Sequence, residues 1–411
     1  MTEASTSPSG AAPETLLITL MGEDRPGVTS SVFDTLAGAG VTVVDLEQIV
    51  LRGRLVLGVL VTAPRDARRL RASLESTAAA LGMQVSIERG TGDNAARPDG
   101  RSLVTLIGGP LKASAVAGVS GRIADLGANI DRIQRMARYP VTAIELQVSG
   151  VPTDVLRTEL VKESRKRGVD VAVQEASLLR RGARLIVMDV DSTLVQGEVI
   201  EMLAAHAGCE AEVARVTEAA MRGELDFEQS LRERVALLEG LDASALNKVY
   251  DEVQLNPGAR TMVRTLKRLG YRFAMVSGGF SAVTDRIAAD LGFDYARAND
   301  LEVVDGKLTG RVIGAVVDRA GKAAALREFA AELGIDEKSV IAIGDGANDL
   351  DMLNAAGLGI AYNAKPVVQE AADTAVNVPY LDTIMYLLGI SREEIVAADA
   401  AAGIVTPEPL V

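Results

Sequence analysis

Tryptophan is absent from this sequence, and cysteine and histidine occur once each, as Cys209 and His206. A single cysteine excludes an intrachain disulfide framework and suits a reducing compartment. The two residues are close enough to share a helix face, but a structural zinc site needs four such ligands and no others exist. The same scarcity weakens any Ser–His–Asp or Cys–His mechanism, which would have to run through His206. Chemistry is left to carboxylates, hydroxyls, lysine, arginine and a hard metal ion. Aromatics make up 3% of the chain, so its cores must be built from Leu, Val, Ala and Ile. Positive charge is in deficit too: the formal net charge of −13 argues against a nucleic-acid binder, which gains affinity by releasing counterions from phosphates. The short basic run "RDARRLR" (65–71) reads as a solvated helix face. No stretch approaches the ~20 consecutive apolar residues of a membrane span. "MTEASTSPSGAAPE" at the start lacks basic residues and an apolar segment, and reads as a disordered tail rather than a signal. "AADAAAGIVTPEPLV" at the end reads as a second loose tail. A cytoplasmic protein is expected.

What is present begins with a repeat. At 411 residues the length suits two or three domains. "LLITLMGEDRPGVTSSVFDTLAGAGVTVVDLEQ" (16–48) runs parallel to "LVTLIGGPLKASAVAGVSGRIADLGANIDRIQ" (103–134), with Gly22 matching Gly108. Each copy reads as strand, Gly turn, amphipathic helix, Gly turn and strand, followed by a further strand, a charged helix (66–81; 153–167) and a last strand. The order βαββαβ is that of a ferredoxin-like α+β module. "GTGDNAARPDGR" (90–101) between the copies is a linker by composition.

The pair resembles two ACT domains, small regulatory modules that commonly dimerise and bind amino acids near the first strand-to-helix turn. "MGEDRPGV" (21–28) fits that turn; "IGGPLKAS" (107–114) lacks its Asp–Arg–Pro. The resemblance implies a homodimer and an amino-acid effector such as serine, with Gly22, Asp24 and Gly108 as candidate contacts. Modules that pack or dimerise without any ligand are the plainer alternative.

From about residue 182 the pattern becomes α/β. Apolar strands at 184–190, 272–278, 340–346 and 358–362 alternate with helical segments, which predicts a doubly wound parallel sheet with its ligand site beyond the strands' carboxyl ends. Residues 199–256 interrupt the alternation with helical, charge-rich sequence, as an inserted cap would. "VVDGKLTG" (303–310) offers an Asp-Gly hairpin turn. The expected organisation is therefore a tail (1–14), two ferredoxin-like modules (15–92 and 102–181) joined by a linker (93–101), an α/β domain (182–395, cap about 197–258) and a tail (396–411).

The strand "LIVMDVDSTLVQGE" ends in Asp189 and Asp191. Two residues apart on an extended strand, their side chains would share a face about 6.5–7 Å apart. An EF-hand loop starting at Asp189 fails, because its sixth position is Leu194 rather than Gly and its twelfth is Ile200 rather than Glu. A glycosidase pair would need carboxylates from different elements, and a helix cap would be unremarkable. The motif has company, however: "IGDGANDLDM" adds Asp345 and Asp349 at another strand end. Carboxylates converging at one sheet edge repel unless a cation sits among them, and oxygen ligands without His or Cys point to Mg²⁺. "VSGGFS" adds the Ser277 hydroxyl and a Gly turn into a helix, whose free N–H groups favour phosphate. Lys322 opens a later helix and could supply positive charge.

These segments, in this order, resemble the haloacid-dehalogenase (HAD) superfamily over roughly 182–390. The resemblance implies Asp189 as the nucleophile that forms an aspartyl-phosphate, and Asp191 as general acid and then base. It implies one Mg²⁺ held by the Asp189 and Asp345 carboxylates and the Asp191 carbonyl, steadied by Thr193 and Asp349. It also implies phosphate contacts from Ser277, Gly278, Lys322 and Asn348. An Asp at position 191 marks the superfamily's phosphatases and phosphomutases. Just beyond, Glu198 and "AAMRGELDFEQSLRERVALLEG" (219–240) resemble the phosphoserine phosphatase branch. That match implies Glu198 for a substrate ammonium, Arg234 for its carboxylate, and Met221 and Phe227 as pocket walls. Arg232 is a confusable neighbour of Arg234. The expected function is Mg²⁺-dependent hydrolysis of O-phospho-L-serine in serine biosynthesis. The alternatives are action on another small phosphoester such as phosphothreonine, and an amino-acid-binding regulator with a vestigial HAD domain.

Overall fold

The computed structural model describes residues 13–92, 100–177, 179–182, 185–221 and 224–407. The expected N-terminal tail up to residue 12 and most of the expected linker (93–99) lie outside the described residues. The chain divides into two compact units, one ahead of residue 98 and one from there on.

In the first unit, β1 (Glu14–Glu23), β2 (Val43–Leu51), β3 (Arg54–Thr62) and β4 (Gln84–Thr91) form an antiparallel sheet of order β2-β3-β1-β4. Alternation along β1 sends Leu16, Ile18 and Leu20 inward. They meet Val28, Val32 and Leu36 of helix Val28–Gly38 and Leu70, Leu74 and Ala78 of helix Ala67–Ala80. Four-residue spacing on the helices and two-residue spacing on the strand let these faces close on each other. Asp66 starts the second helix by accepting the Arg69 N–H at 3.0 Å.

The larger unit opens with the second copy: β5 (Ser102–Gly108), β6 (Asn129–Ala137), β7 (Thr142–Ser149) and β8 (Asp170–Glu175), ordered β6-β7-β5-β8. One face packs on helices Ala113–Asp125 and Thr153–Arg167. The other does not stay open. Ile107, Ala143 and Ala172 join the core of the α/β portion. Ile107 is 1% exposed, whereas Met21 at the equivalent place in the first copy is 46% exposed, a difference of about 1 kcal/mol of side-chain burial. Polar contacts seal this junction. Gln174 Nε2 donates to Leu387 O at 2.9 Å, the buried Asp170 carboxylate accepts the Asn377 N–H at 2.7 Å, and Arg180 pairs with Glu145. The two copies thus share a fold and differ in what covers their second face.

The α/β portion is a seven-stranded sheet of order β12-β11-β10-β9-β13-β14-β15. Its strands are β9 (Leu185–Met188), β10 (Arg272–Phe280), β11 (Tyr295–Val304), β12 (Lys307–Ile313), β13 (Val340–Gly344), β14 (Leu358–Tyr362) and β15 (Thr374–Val376). All neighbours are parallel except β12, which pairs antiparallel with β11 through the Asp305–Gly306 turn. Both turn residues have positive φ (51° and 76°), the backbone that an Asp-Gly hairpin turn requires. The chain order around β9 reverses direction: β10 lies on one side and β13 on the other. The carboxyl ends of these three strands therefore flank one crevice. Helices Val199–Ala207, Glu210–Met221, Phe227–Ala236 and Ser244–Glu252 form the insert.

The C-terminal expectation needs correction. Residues 392–401 form a helix, with Ser391 and Glu394 making a capping box. Fully buried Asp399 accepts hydrogen bonds from Arg264 and Arg268, which holds this segment against helix Ala259–Arg268. The expected tail is therefore ordered over this helix; its last four residues, 408–411, lie outside the described residues.

Candidate active site

β9 stops at Met188, three residues before Asp191. The extended pair read from the sequence does not form, because the chain turns: Val190 O accepts the N–H groups of Thr193, Leu194 and Val195. Ser192 takes a left-handed φ of 57° within that turn. The two aspartates consequently face different partners. Asp189 Oδ2 meets Lys322 Nζ at 2.8 Å. Asp191 Oδ1 accepts the Val199 N–H at 2.8 Å and its Oδ2 accepts the Ser277 hydroxyl at 3.0 Å.

A second correction concerns the glycine turn. β10 continues irregularly to Phe280, and the following helix begins at Ser281, so Gly278 and Gly279 sit on a distorted strand end rather than at a helix N-terminus. The Gly279 N–H is spent on Ser277 Oγ at 2.7 Å. Both glycines pack so closely that a side chain would force a neighbour to shift. A Cβ on Gly278 would lie 2.9 Å from Phe227 Cζ, and one on Gly279 would lie 2.7 Å from Asp191 Oδ2.

Beneath the crevice, Lys322 is fully buried in helix Arg319–Glu332 and bridges Asp189 and Asp349, reaching Asp349 Oδ1 at 2.7 Å. Burial works against its charge, but the two carboxylates outweigh it and hold the ammonium above its ordinary pKa. Burial and the Asp349 charge push Asp189 well above the usual carboxylate range, against the pull of Lys322. Burial likewise lifts Asp345 to about 6. Oxygens of Asp189, Asp345 and Asp349 lie within 4.8 Å of one another. Three carboxylates facing one ammonium leave a deficit of positive charge, which suits a hard divalent cation. Both oxygens of Asp349 are committed, to Lys322 and to the Gly346 N–H, and so are those of Asp189, to Lys322 and to the Val190 N–H, which leaves Asp345 the freest of the three. Thr193 Oγ1 donates to Asp345 Oδ1 at 2.6 Å.

Above the carboxylates lies a cavity of about 610 Å³, lined by Glu198, Phe227, Arg234, Gly278 and Asn348 among others. Glu198 accepts the Ser192 hydroxyl at 3.1 Å. Burial and then Asp191 raise its pKa to about 7. Arg234 makes one hydrogen bond, from Nε to Ser230 O at 3.3 Å, and no ion pair among the described residues. Arg232, by contrast, pairs with Glu228 at 2.7 Å on the exposed side of the same helix. Ser277, Lys322, Thr193 and Asp349 are fully buried and are not among the residues that line the cavity. Met221 closes helix Glu210–Met221, but its side chain lies outside the described residues. Lys365 and Val367 also line the cavity and carried no sequence signal. Gly279 could have been found from its place beside Ser277.

The candidate effector positions fall elsewhere. Gly22, next to the last residue of β1, lies against Met83, and the Asp24 N–H donates to Gly53 O at 2.8 Å. Gly108 lines a separate cavity of about 630 Å³ with Tyr139, Asp170 and Tyr380. That cavity is slightly larger, but among the described residues the carboxylate cluster lies in the other one.

A reversing parallel sheet, a helical insert and a lysine among carboxylates at the strand ends define a hydrolase of the haloacid dehalogenase type, here preceded by two regulatory-type modules. The haloacid dehalogenase-like hydrolase family matches residues 186–354, and ACT domain families match 14–88 and 102–174. The phosphoserine phosphatase of Streptomyces coelicolor is 63% identical over 94% of this chain and 95% of its own length. Phosphoserine phosphatase SerB2 of Mycobacterium tuberculosis is 52% identical over the same shares. The solved structure of a probable phosphoserine phosphatase from Vibrio cholerae is 35% identical with a TM-score of 0.57, covering 72% of this chain and 88% of that one. The chain belongs to the phosphoserine phosphatase family. Among its described residues no helix is long and apolar enough to cross a membrane.

Proposed function

We propose that this enzyme hydrolyses O-phospho-L-serine to L-serine and phosphate, the last step of serine biosynthesis, through an aspartyl-phosphate on Asp189. The observation that carries the reading is the division of labour in one crevice. Asp189 sits on the lysine-carboxylate floor, Asp191 faces Ser277, and Glu198 and Arg234 wait above. The names of the S. coelicolor and M. tuberculosis relatives support the substrate.

In this reading Asp189 attacks phosphorus. Asp191 protonates the leaving serine oxygen and then takes a proton from the incoming water. The Ser277 hydroxyl and Val199 N–H fix the Asp191 carboxyl in place for both transfers. Lys322, Ser277, Gly278 and Asn348 orient the phosphoryl group. Glu198 receives the substrate ammonium, Arg234 its carboxylate, and Phe227 closes over it. Asp189 and Asp345 by carboxylate, and Asp191 by its carbonyl, would hold Mg²⁺, with Thr193 and Asp349 steadying them. When bound, the ion neutralises charge between an anionic nucleophile and a dianionic phosphate. The ACT modules are read as dimerising and serine-sensing elements, through Gly22, Asp24 or Gly108, in a cytoplasmic homodimer.

The test is serine release from phosphoserine with Mg²⁺ or chelator present. Activity should require the metal and vanish in Asp189→Asn; activity surviving that change would overturn the nucleophile. Arg234→Ala should impair phosphoserine at least tenfold more than an aryl phosphate. Equal losses on the two substrates would remove the carboxylate clamp.

A further inference from the structure

The chain leaves the catalytic body for the helical insert just after Thr193 and returns just before Pro257. The two crossings are joined. Val195 bridges Leu255, the Gln196 N–H donates to Gln254 O at 2.8 Å, and Gln196 Nε2 donates to Leu255 O at 3.1 Å. Asn256 does something different. Its backbone N–H donates to Leu194 O at 2.9 Å, while its side-chain Nδ2 donates to Thr193 O at 2.7 Å and to Val195 O at 3.3 Å. One residue therefore holds three successive carbonyls of the loop that carries Asp189, Asp191 and Thr193.

Asn256 is itself tied to the body. Its carbonyl accepts the Ala259 N–H at 3.1 Å, at the start of helix Ala259–Arg268, and Pro257 O accepts the Leu381 N–H at 2.8 Å. Gly258 packs so closely that a Cβ there would lie 2.4 Å from Asp382 Oδ1. The anchor is on the body side of the crossing, and its reach is toward the catalytic loop.

We propose that Asn256 is a positioning residue for the phosphatase reaction. It pins the catalytic loop to the body, so that movement of the insert on its crossings is not passed to Thr193 and, through Thr193 Oγ1, to Asp345. The chemistry explains the residue type. The task needs two N–H donors at short reach toward carbonyls. Aspartate of the same shape would turn acceptors toward acceptors, serine could satisfy one carbonyl, and alanine none. A loop displaced by an ångström costs about a hundredfold in rate when it carries reacting groups. The inference rests on the phosphatase reading above.

The experiment uses the full chain with Asn256→Asp, Asn256→Ala and Asn256→Ser. Turnover of phosphoserine with Mg²⁺ is measured alongside hydrogen exchange of the metal-free proteins. The expected result is a loss of kcat of about 10- to 100-fold in the order Asp, Ala, Ser, with KM within about threefold. Exchange of amides in 190–197 should quicken at least tenfold while β10 and β13 keep their protection. Unchanged kcat and loop exchange would overturn the proposal. Exchange rising equally across the sheet, even in Asn256→Ser, would also overturn it by making Asn256 a general stabiliser. If the wild type fails on phosphoserine, or Asp189→Asn matches it, the phosphatase reading falls, and loop-selective exchange still decides whether Asn256 pins the loop.

Discussion

Replacing Lys322 by methionine tests the charge balance on which the site depends. The ammonium contacts Asp189 at 2.8 Å and Asp349 at 2.7 Å, and the three side chains are 0–6% exposed. At an effective dielectric of about 20, each contact is worth about 6 kcal/mol of attraction, part of which only offsets the cost of burying the ammonium. Removing one partner from a buried pair typically costs about 3–5 kcal/mol. The protein has one escape, which is to bind a proton on a carboxylate. At pH 7.5 that costs at most about 5 kcal/mol, and at pH 5 about 1.5 kcal/mol, from an ordinary Asp pKa near 3.9. The sign follows from the raised folded-state value of Asp189. Between the unfolded pKa and that raised value the folded state binds more protons, so stability falls as pH rises, and more steeply without the lysine. We therefore predict that Lys322→Met is about 3–5 kcal/mol less stable than wild type at pH 7.5, and that at least half of this gap closes at pH 5. Both proteins should be kept in chelator and unfolded in urea, with circular dichroism as the probe because the chain has no tryptophan. A gap under about 1 kcal/mol at pH 7.5 would refute the argument, and so would one of equal size at both pH values.

Gly278→Ala would place a methyl 2.9 Å from Phe227 Cζ. The ring must swing away, so KM should rise about tenfold with a smaller loss of kcat; steady-state kinetics showing the reverse would mean that the insert adapts. Glu198 titrates near 7 because of burial and Asp191, and only its ionised form attracts an ammonium. KM for phosphoserine should therefore rise as pH falls through 7, and Glu198→Gln should show a high, flat KM; an unchanged profile in that variant would assign the titration elsewhere.

The sequence carried the modular order because each element advertises its own period. Strands such as β9 and β14 are short apolar runs, and helix Ala67–Ala80 repeats its buried residues every four positions. The reactive groups were also legible, since Asp189, Asp191, Lys322, Asp345 and Asp349 are residue types with little reason to cluster at strand ends otherwise. Where the reading failed, hydrogen bonds outside the expected element's own pattern had decided the matter. Asp191 left the strand because three N–H groups converge on Val190 O. The C-terminal segment became helix because Asp399 meets two arginines more than a hundred residues away.

Local sequence thus determined the chemistry on offer: oxygen ligands, a lysine opening a helix, and a single histidine, His206, outside the strand-end motifs. Only the tertiary structure decided which groups meet. It set Arg234 in the cavity and Arg232 outside it, although they lie on one short helix, because the direction of a side chain depends on the face its helix turns to the body. It buried Ile107 against the α/β core while leaving Met21 exposed, although both stand at the same place in a repeated fold. It also brought Asn256 beneath the loop of Asp189, across a helical insert that separates them in the chain. Burial and reach are properties of assembled surfaces, and they follow from what packs against a residue.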